Sequence, residues 1–347
     1  MKLGHRTVRR MLRGGGHRAA HGTVSERRLV LVSLEAGDGL TGYGEAAPLP
    51  SYDGIGVDEV ISALEACRPV LEDYPGHAPI ADVIARCGEQ TVVAQALAAI
   101  DLALWDLAGR RVSEPVWRLL GAADGSPIPV NATIDAADRS TAASEAAEAR
   151  AAGFRTVKVK VGIGDDEGRL AAVRAFAGPQ MAIRVDANGA WTPTQAAAML
   201  RILEPVGIEF CEEPVHGLAE IAALRGHGIP LALDESAADP LAFTAPPAAE
   251  LACLKIGRCG GISGLLAAAA DARHAGYEVF LASTLDGPLG LAAALHAAAA
   301  LRPGRACGLA TLGRFADSVD PLPARDGVVA LPVGAGLGAG LVDWYSP

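Results

Sequence analysis

Cysteine is scarce in this sequence: the 347 residues include six cysteines, whose spacing matches neither a zinc site nor a disulfide framework. Long apolar runs are also missing, since none reaches the roughly 20 residues that a membrane-spanning helix needs. Residues 1–18 lack the apolar segment of a signal peptide. These shortages predict a reduced, cytoplasmic protein with no membrane partner.

Basic charge is in deficit, because 30 lysines and arginines face 40 acidic residues and give a net charge of −10. Phosphate contacts require a basic surface, so no nucleic-acid partner is expected. One basic cluster occupies residues 5–18, and it either steers an anionic small molecule or forms a solvated strand and loop. The expected partner is therefore a small molecule, with a homo-oligomer as an open alternative.

The N-terminal third follows an α+β pattern. Strand-like runs fill residues 1 to about 45, and Gly37-Asp38-Gly39 supplies the chemistry of a hairpin turn. Apolar residues then recur at helical spacing over 57–73 and 91–108. Gly109 is expected to cap the end of the second helix.

From Pro127 the pattern changes to apolar strands separated by alanine-rich helices. The strand candidates are 128–134, 155–161, 182–187, 207–212, 230–235, 252–257, 277–283 and 305–311. Regular helical crossovers between so many strands favour a (β/α) barrel over an open doubly wound sheet. A dinucleotide-binding alternative would need Gly-x-Gly-x-x-Gly after an early strand, and the sequence has none.

The run from Thr156 to Gly162 carries the first functional signal. Side chains alternate along a strand, so Lys158 and Lys160 share one face while three valines occupy the other. Valines suit a face covered by helices, but unpaired buried ammonium groups are costly. The lysines therefore need acidic partners, unless this is a solvated edge strand.

Acidic partners occur at the ends of the following strands. Lys160, Asp186, Glu212, Asp234 and Lys255 are separated by 26, 26, 22 and 21 residues, about one βα unit each. The active site of such a barrel lies at these strand ends. Converging carboxylates repel one another, and an all-oxygen site suits Mg²⁺, with Mn²⁺ as the alternative. The flanking lysines can then serve as general bases.

At these positions the chain resembles the enolase superfamily, and specifically its muconate lactonizing enzyme subgroup. The matching segments are Lys158-Val159-Lys160, Asp186-Ala187-Asn188, Glu212-Glu213-Pro214, Asp234-Glu235-Ser236 and Lys255, with Gly42–Pro48 and Ala103–Leu107 in the N-terminal part. The resemblance implies an α/β protein: a modified (β/α)7β TIM barrel with an α+β capping domain. It divides the chain into a capping domain (1–122), a barrel (123–312) and a C-terminal segment (313–347) that returns to the capping domain.

The resemblance also implies roles for individual residues. Asp186, Glu212 and Asp234 would bind Mg²⁺, while Lys160 and Lys255 would act on opposite faces of the substrate with Lys158 in electrostatic support. Loops near 12–24 and 47–56 would close over the site. Residues implied to contact substrate or to support the ligands are Tyr52, Asn188, Glu213, Glu235, Gly260, Gly261, Ser283 and Thr284.

Members of the subgroup remove a proton α to a carboxylate, and the metal stabilises the resulting enediolate. Their reactions include o-succinylbenzoate synthesis in menaquinone biosynthesis, muconate cycloisomerisation and epimerisation of dipeptides or N-acylamino acids. Dipeptide epimerases typically carry Asp-x-Asp on strand 8, whereas Gly308–Leu312 here is similar to the Gly-Leu-x-Thr-Leu segment of o-succinylbenzoate synthases. Synthesis of o-succinylbenzoate is therefore expected, although Asp286 could instead receive a substrate ammonium.

Two other functions need weighing. A barrel can lose its chemistry and persist as a scaffold, because fold alone does not prove function. That loss would remove a lysine or a carboxylate from the set, and here all of them are present. A metal-dependent aldolase would leave the lysine on strand 6 unexplained.

Overall fold

A computed structural model describes residues 1–19, 22–74, 78–244, 246–316 and 318–346. The N-terminal part begins with antiparallel strands, as the sequence predicts. They are β1 (Lys2–Met11), β2 (His17–Ala19), β3 (Gly22–Val24), β4 (Glu26–Glu35) and β5 (Thr41–Ala46). Strand β4 lies between β1 and β5 in one sheet, while β2 and β3 form a separate short pair. The predicted turn at 37–39 joins β4 to β5.

The described residues then form helices α1 (Pro50–Asp53), α2 (Val57–Asp73), α3 (Ile80–Gly88), α4 (Ala94–Val112) and α5 (Val116–Leu119). Helix α4 packs directly on β5, because Gly42 and Gly44 leave room for it. A Cβ atom at Gly44 would lie 2.0 Å from the carbonyl oxygen of Ala99. The predicted cap at Gly109 is wrong. The helix continues to Val112, and Ser113 takes the left-handed conformation there.

The second part is a curled parallel sheet of seven strands in sequential order. These strands are β7 (Ala132–Ile134), β8 (Thr156–Lys160), β9 (Ala182–Asp186), β10 (Ile208–Glu212), β11 (Leu231–Leu233), β12 (Leu251–Leu254) and β13 (Glu278–Leu281), preceded by the two-residue β6 (Ile128–Pro129). The eighth predicted strand, 305–311, forms only two parallel bridges, Val130 with Cys307 and Ala282 with Gly308. Those bridges join the two edges of the sheet.

Helices separate the strands and cover the outside of the sheet. They are α6 (Arg139–Ala151), α7 (Asp166–Ala177), α8 (Pro193–Leu203), α9 (Leu218–Ala223), α10 (Ile262–His274) and α11 (Pro288–Leu301). Val157, Val159 and Val161 are fully buried in the core that these helices form with the strands, as the alternation of β8 predicts. None of the described helices is long and apolar enough to cross a membrane.

The C-terminal segment runs back to the N-terminal part. Strands β14 (Ala324–Arg325) and β15 (Val328–Val329) pair with β6, and Leu12 bridges to Phe315. Near the end of the chain, Arg10 donates hydrogen bonds to the carbonyl oxygens of Trp344 and Ser346. The domain limits at 122 and 312 stay a prediction.

Candidate active site

The residues singled out from their spacing lie side by side at the carboxyl ends of the barrel strands. Lys160 is in register with Asp186 between β8 and β9, and Asp186 is in register with Glu212 between β9 and β10. Asp234 directly follows β11, and Lys255 directly follows β12. The parallel order of the strands therefore places all five residues along one rim.

The two lysines of β8 contact the carboxylates next to them. Lys158 Nζ lies 2.8 Å from Asp186 Oδ2 and 2.6 Å from Glu212 Oε1. Lys160 Nζ donates hydrogen bonds to Asp186 Oδ2 at 2.6 Å and to Asn188 Oδ1 at 2.8 Å. This accounts for buried charge on the inner face of β8: each ammonium group has an acidic partner.

The capping segment reaches the opposite side of the site through Tyr52. Its hydroxyl donates to Asp234 Oδ1 at 2.6 Å and accepts a hydrogen bond from Lys255 Nζ at 2.9 Å. Lys255 Nζ also pairs with Asp234 at 2.6 Å and lies 4.0 Å from the centre of the Tyr52 ring. A residue of the 47–56 loop thus touches both a carboxylate and a lysine of the barrel.

Burial and neighbouring charges shift the pKa values of the rim residues in different directions. Burial raises the pKa of Glu212, and repulsion from Asp186 and Asp234 raises it further. Lys158 offsets only part of this, so the pKa is about 8. Burial would raise the pKa of Asp234 too, but Lys255 and Lys158 bring it down to about 2. Burial alone would lower the pKa of Lys255, yet the carboxylates around it raise that pKa.

The carboxylates fit a hard divalent cation. Glu212 Oε2 is buried and has no hydrogen-bond partner among the described residues, so it is available as a ligand. Ligand atoms of Glu212, Asp234 and Cys253 lie within 4.8 Å of one another, whereas Asp186 stands outside that group, with Lys158 between it and Glu212. Burial keeps the pKa of the Cys253 thiol well above its ordinary value, so oxygen atoms dominate the donor set.

The neighbouring acids support the rim. Glu213 is fully buried and accepts hydrogen bonds from the backbone N–H groups of Asp234 and Ser236. Glu235 Oε1 accepts from Asn188 Nδ2 at 3.0 Å. Asn188 and Glu213 have φ values of +45° and +42°, and such strained conformations cluster at functional sites. These contacts position the rim residues.

Two of the residue pairs implied to contact substrate, Gly260-Gly261 and Ser283-Thr284, use backbone N–H groups within the protein. The Gly261 N–H donates to the carbonyl oxygen of Ile256, and neither Gly260 nor Gly261 lines the cavity described below. The Ser283 N–H donates to Gly308, and Thr284 gives both its N–H and its hydroxyl to Asp286. Ser283 and Thr284 do line the cavity, but their backbone N–H groups are occupied.

The rim opens into a cavity between the capping loops and the barrel. Its polar lining residues are His17, Tyr52, Asn131, Thr133, Lys158, Lys160, Asn188, Lys255, Ser283, Thr284, Thr311 and Arg314, and its apolar ones include Val24, Leu49 and Leu285. Five of these side chains are basic and none is acidic. Both predicted capping loops contribute, although residues 20 and 21 of the first lie outside the described residues.

Sequence reasoning missed several members of this site. Cys253 carried a signal, because it lies two residues before Lys255 on the same face of a strand. Thr311 belongs to the Gly-Leu-x-Thr-Leu segment, but the sequence assigns it no role of its own. Arg314 carried no signal, since it follows a strand that the structure reduces to two bridges. Asp286, expected as a receptor for an ammonium group, is 1% exposed and does not line the cavity.

Comparison with known proteins gives matches along most of the chain. The profile of the mandelate racemase / muconate lactonizing enzyme N-terminal domain matches residues 4–121. The enolase C-terminal domain-like profile matches residues 141–343.

Two curated relatives have different activities. The o-succinylbenzoate synthase of Mycobacterium tuberculosis (strain ATCC 25618 / H37Rv) is 42% identical over 218 residues, 59% of this chain. The match covers 64% of that synthase, less than two thirds of its length. The N-succinyl-L-Arg/Lys racemase of Bacillus cereus is 30% identical over 292 residues, 80% of this chain and 78% of that protein.

A solved structure extends the range of activities. The dipeptide epimerase of Enterococcus faecalis V583, complexed with Mg and the dipeptide L-Leu-L-Tyr, superimposes with a TM-score of 0.88 at 27% identity. The superposition covers 97% of this chain and 98% of the epimerase. These similarities agree on the fold and on small-molecule chemistry, and they divide between a lyase and isomerases.

Proposed function

This chain belongs to the mandelate racemase / muconate lactonizing enzyme family of the enolase superfamily, and we propose that it is an o-succinylbenzoate synthase that depends on Mg²⁺. The reaction would remove a proton α to a carboxylate and expel a hydroxyl group from the same ring. Its substrate is 2-succinyl-6-hydroxy-2,4-cyclohexadiene-1-carboxylate, a dicarboxylate without an amine.

The carboxylates of Asp186, Glu212 and Asp234 would hold the cation. A bound divalent ion stabilises the negative charge that develops on a substrate carboxylate when the neighbouring carbon loses its proton. Lys158 is suited to electrostatic support, since its ammonium group lies between Asp186 and Glu212.

Lys160 is the base in this proposal. It lines the cavity, is 7% exposed, and is oriented by Asp186 and Asn188. In its neutral form Nζ takes the α-proton, and the resulting ammonium group returns that proton to the departing hydroxyl. The C–O bond breaks, water leaves and the ring becomes aromatic, so atoms and charge balance.

The observation that carries this assignment is the charge of the cavity. Its lining includes the cationic side chains of Lys158, Lys160, Lys255 and Arg314 together with the imidazole of His17, and no acidic side chain is among the described residues that line it. A dipeptide brings an ammonium group, which needs an acidic partner, and Asp286 is already bound to Thr284. A dicarboxylate matches the lining.

Lys255 favours a second candidate, N-succinylamino acid racemase. Racemisation needs a base on each side of the α-carbon, and Lys255 contacts Asp234 on the opposite side of the site from Lys160. An N-succinylamino acid is also a dicarboxylate. Lys255→Arg separates the two, because arginine keeps the positive charge but cannot shuttle protons. If Lys255→Arg keeps part of the wild-type activity, Lys255 contributes only its positive charge, which supports the synthase. If all activity is lost, Lys255 transfers a proton, which supports the racemase.

The direct test offers the purified protein with Mg²⁺ the cyclohexadiene substrate beside N-succinylamino acids and dipeptides. Ultraviolet absorbance would follow aromatisation, and proton exchange in D₂O would follow epimerisation. Aromatisation of the cyclohexadiene is the expected result. Rapid exchange on a dipeptide without aromatisation would reject the synthase and point to an epimerase.

A further inference from the structure

A second group of charged side chains lies at the same cavity but follows β7 and the 305–311 segment. Arg314 ends the 3-10 helix Leu312–Arg314, just past the bridges that close the sheet. Its Nη1 donates to Asp135 Oδ2 at 2.9 Å and its Nη2 to the carbonyl oxygen of Thr133 at 2.9 Å. Because two anchors hold it, the guanidinium group has a fixed position.

Asp135 also connects this arginine to the capping loop. His17 Nδ1, on the 12–24 loop, lies 2.8 Å from Asp135 Oδ2. Burial lowers the pKa of His17, and the positive charges of Lys160 and Arg314 lower it further against the effect of Asp135. Lys160 and Arg314 therefore both lie near His17, and all three line one cavity.

The guanidinium group has donors to spare. An arginine carries five N–H donors in a planar fork. The bonds to Asp135 and Thr133 use two of them, and the side chain of Arg314 is still 27% exposed. Neutral hydroxyl groups border it, since Thr133 and Thr311 line the cavity as well. A planar cation among hydroxyl groups suits a carboxylate.

We propose that Arg314, aligned by Asp135 and Thr133, binds the substrate carboxylate that does not lie at the metal site. This inference rests on the proposed function, since it assigns the second anionic group of that substrate. Each end of the cavity then binds one of the two substrate carboxylates. The Asp186–Asp234 rim holds the reacting carboxylate, and Arg314 holds the distal one and fixes the distance between them. His17 lies beside the same Asp135 oxygen that anchors Arg314, so the capping segment and this subsite share one carboxylate.

The competing explanation is that Arg314 only fastens the reduced strand 8 to the end of β7. Both roles use the bonds to Asp135 and Thr133, so measuring the stability of an Arg314 variant cannot separate them. Comparing the binding of two ligands that differ only in the distal charge can separate them. One is o-succinylbenzoate, and the other is its analogue with the succinyl carboxylate replaced by a carboxamide, which has the same shape without the distal charge.

The experiment measures the dissociation constants of both ligands by calorimetry in Mg²⁺, for the wild-type protein and for Arg314→Gln and Arg314→Lys. The matched control is Arg150→Gln, which removes a positive charge from the outer helix α6, where the arginine donates a hydrogen bond to the Phe176 carbonyl oxygen.

Arg314→Gln should weaken binding of the dicarboxylate roughly tenfold to hundredfold, as expected when a charge-assisted bond is lost. It should leave binding of the carboxamide unchanged, which also shows that the site is intact. Arg314→Lys should fall between wild type and Arg314→Gln, because it keeps the charge without the fork. Arg150→Gln should bind both ligands as the wild type does.

Equal weakening of both ligands by Arg314→Gln would overturn the assignment and leave a structural clamp. A wild-type protein that does not prefer the dicarboxylate would overturn it too. Failure of the proposed reaction is distinct: the preference and its dependence on Arg314 would persist while the cyclohexadiene is not dehydrated. Conversely, normal turnover with an unchanged KM in Arg314→Gln would reject the subsite and leave the reaction intact.

Discussion

Tyr52 is the residue that links the two parts of the molecule most directly at the site. Its hydroxyl lies between a carboxylate and a lysine of the rim, 182 residues away in sequence from Asp234. Burial raises the pKa of Tyr52 well above its ordinary value, and Asp234 adds to this, so the hydroxyl keeps its proton. It therefore orients Lys255 as a neutral hydrogen-bond partner.

Tyr52→Phe removes this hydroxyl and leaves the ring under Lys255 in place. We expect kcat to fall about tenfold, since a hydrogen bond to a charged group contributes about 1.5–3 kcal/mol and only part of it bears on the reacting state. Steady-state kinetics would measure this. Tyr43→Phe, on β5 and outside the cavity lining, is the control and should keep the wild-type kcat. An unchanged kcat in Tyr52→Phe would show that the hydroxyl does not position Lys255.

At this scale the sequence predicted the residues whose place follows from strand periodicity. Lys160, Asp186 and Glu212 end their strands, and Asp234 and Lys255 directly follow theirs, so the parallel order of the strands places all five on one rim. It could not predict contacts between segments far apart in sequence. His17, Asp135 and Arg314 meet only because the chain folds back at both ends of the barrel.

Among the elements, helix α4 shows how close packing overrides a local signal. Gly109 reads as a helix cap in sequence, yet it lies inside the helix against the C-terminal segment. A Cβ atom there would lie 2.6 Å from the carbonyl oxygen of Glu114 and 2.7 Å from Gly336 Cα. The glycine therefore serves close approach between two chain segments, which periodicity alone cannot reveal.

Gly109→Ala tests this interpretation against helix propensity. Alanine favours a helix by about 1 kcal/mol over glycine, but overpacking costs about 1–3 kcal/mol, so we expect a net loss of stability. Gly88→Ala is the matched control, because that glycine is also helical, at the end of α3, but faces open space. Thermal unfolding should show a lower Tm for Gly109→Ala and an equal or higher one for Gly88→Ala. A higher Tm for both would mean that the contact with Gly336 yields easily.

The eighth strand marks the other limit of prediction for elements. Its apolar run from 305 to 311 predicted a full strand, but the backbone pairs only at Cys307 and Gly308. Arg305 and Arg184 fix this segment from the side instead, through hydrogen bonds to Glu209, Glu278 and the carbonyl oxygen of Ala306. Side-chain pairs thus replace part of the ladder that the sequence pattern suggested.

Across the whole molecule, a buried polar cluster joins the N-terminal sheet, helix α11 and the C-terminal segment. Glu45 accepts hydrogen bonds from the Gly287 N–H and from the hydroxyl of Tyr345. Arg27 donates to the carbonyl oxygens of Ala47, Pro48 and Leu285, which ties the 47–56 loop to the end of β13. Asp286 completes the group of charges around Glu45.

This cluster predicts a pH dependence of stability. Burial, with repulsion from Asp286, raises the pKa of Glu45 to about 8 against the effect of Tyr345 and Arg27. In the unfolded chain its pKa returns to the ordinary value of 4.5. Because the pKa of Glu45 is higher in the folded state, protonation of Glu45 favours folding. This contribution to the free energy of unfolding is complete below pH 4.5 and is lost as the pH rises to about 8.

Glu45→Gln should remove this dependence, because the amide resembles the protonated acid at every pH. Urea unfolding at pH 5 and pH 8 should show a smaller loss of unfolding free energy in the variant than in the wild type. The difference should be at most about 1.4 kcal/mol for each pH unit that separates the folded and unfolded pKa of Glu45. The same loss in both proteins would contradict a protonated Glu45.

The central claim is that a cation held by Asp186, Glu212 and Asp234 lets Lys160 remove the α-proton of a dicarboxylate. The most direct test measures dehydration of the cyclohexadiene substrate by chelator-treated protein while Mg²⁺ is added back, in wild type and in Lys160→Ala. We predict no turnover in excess chelator, full recovery in the wild type, and a rate lower by orders of magnitude in Lys160→Ala at saturating Mg²⁺. Full activity in excess chelator, or wild-type activity without Lys160, would contradict the account.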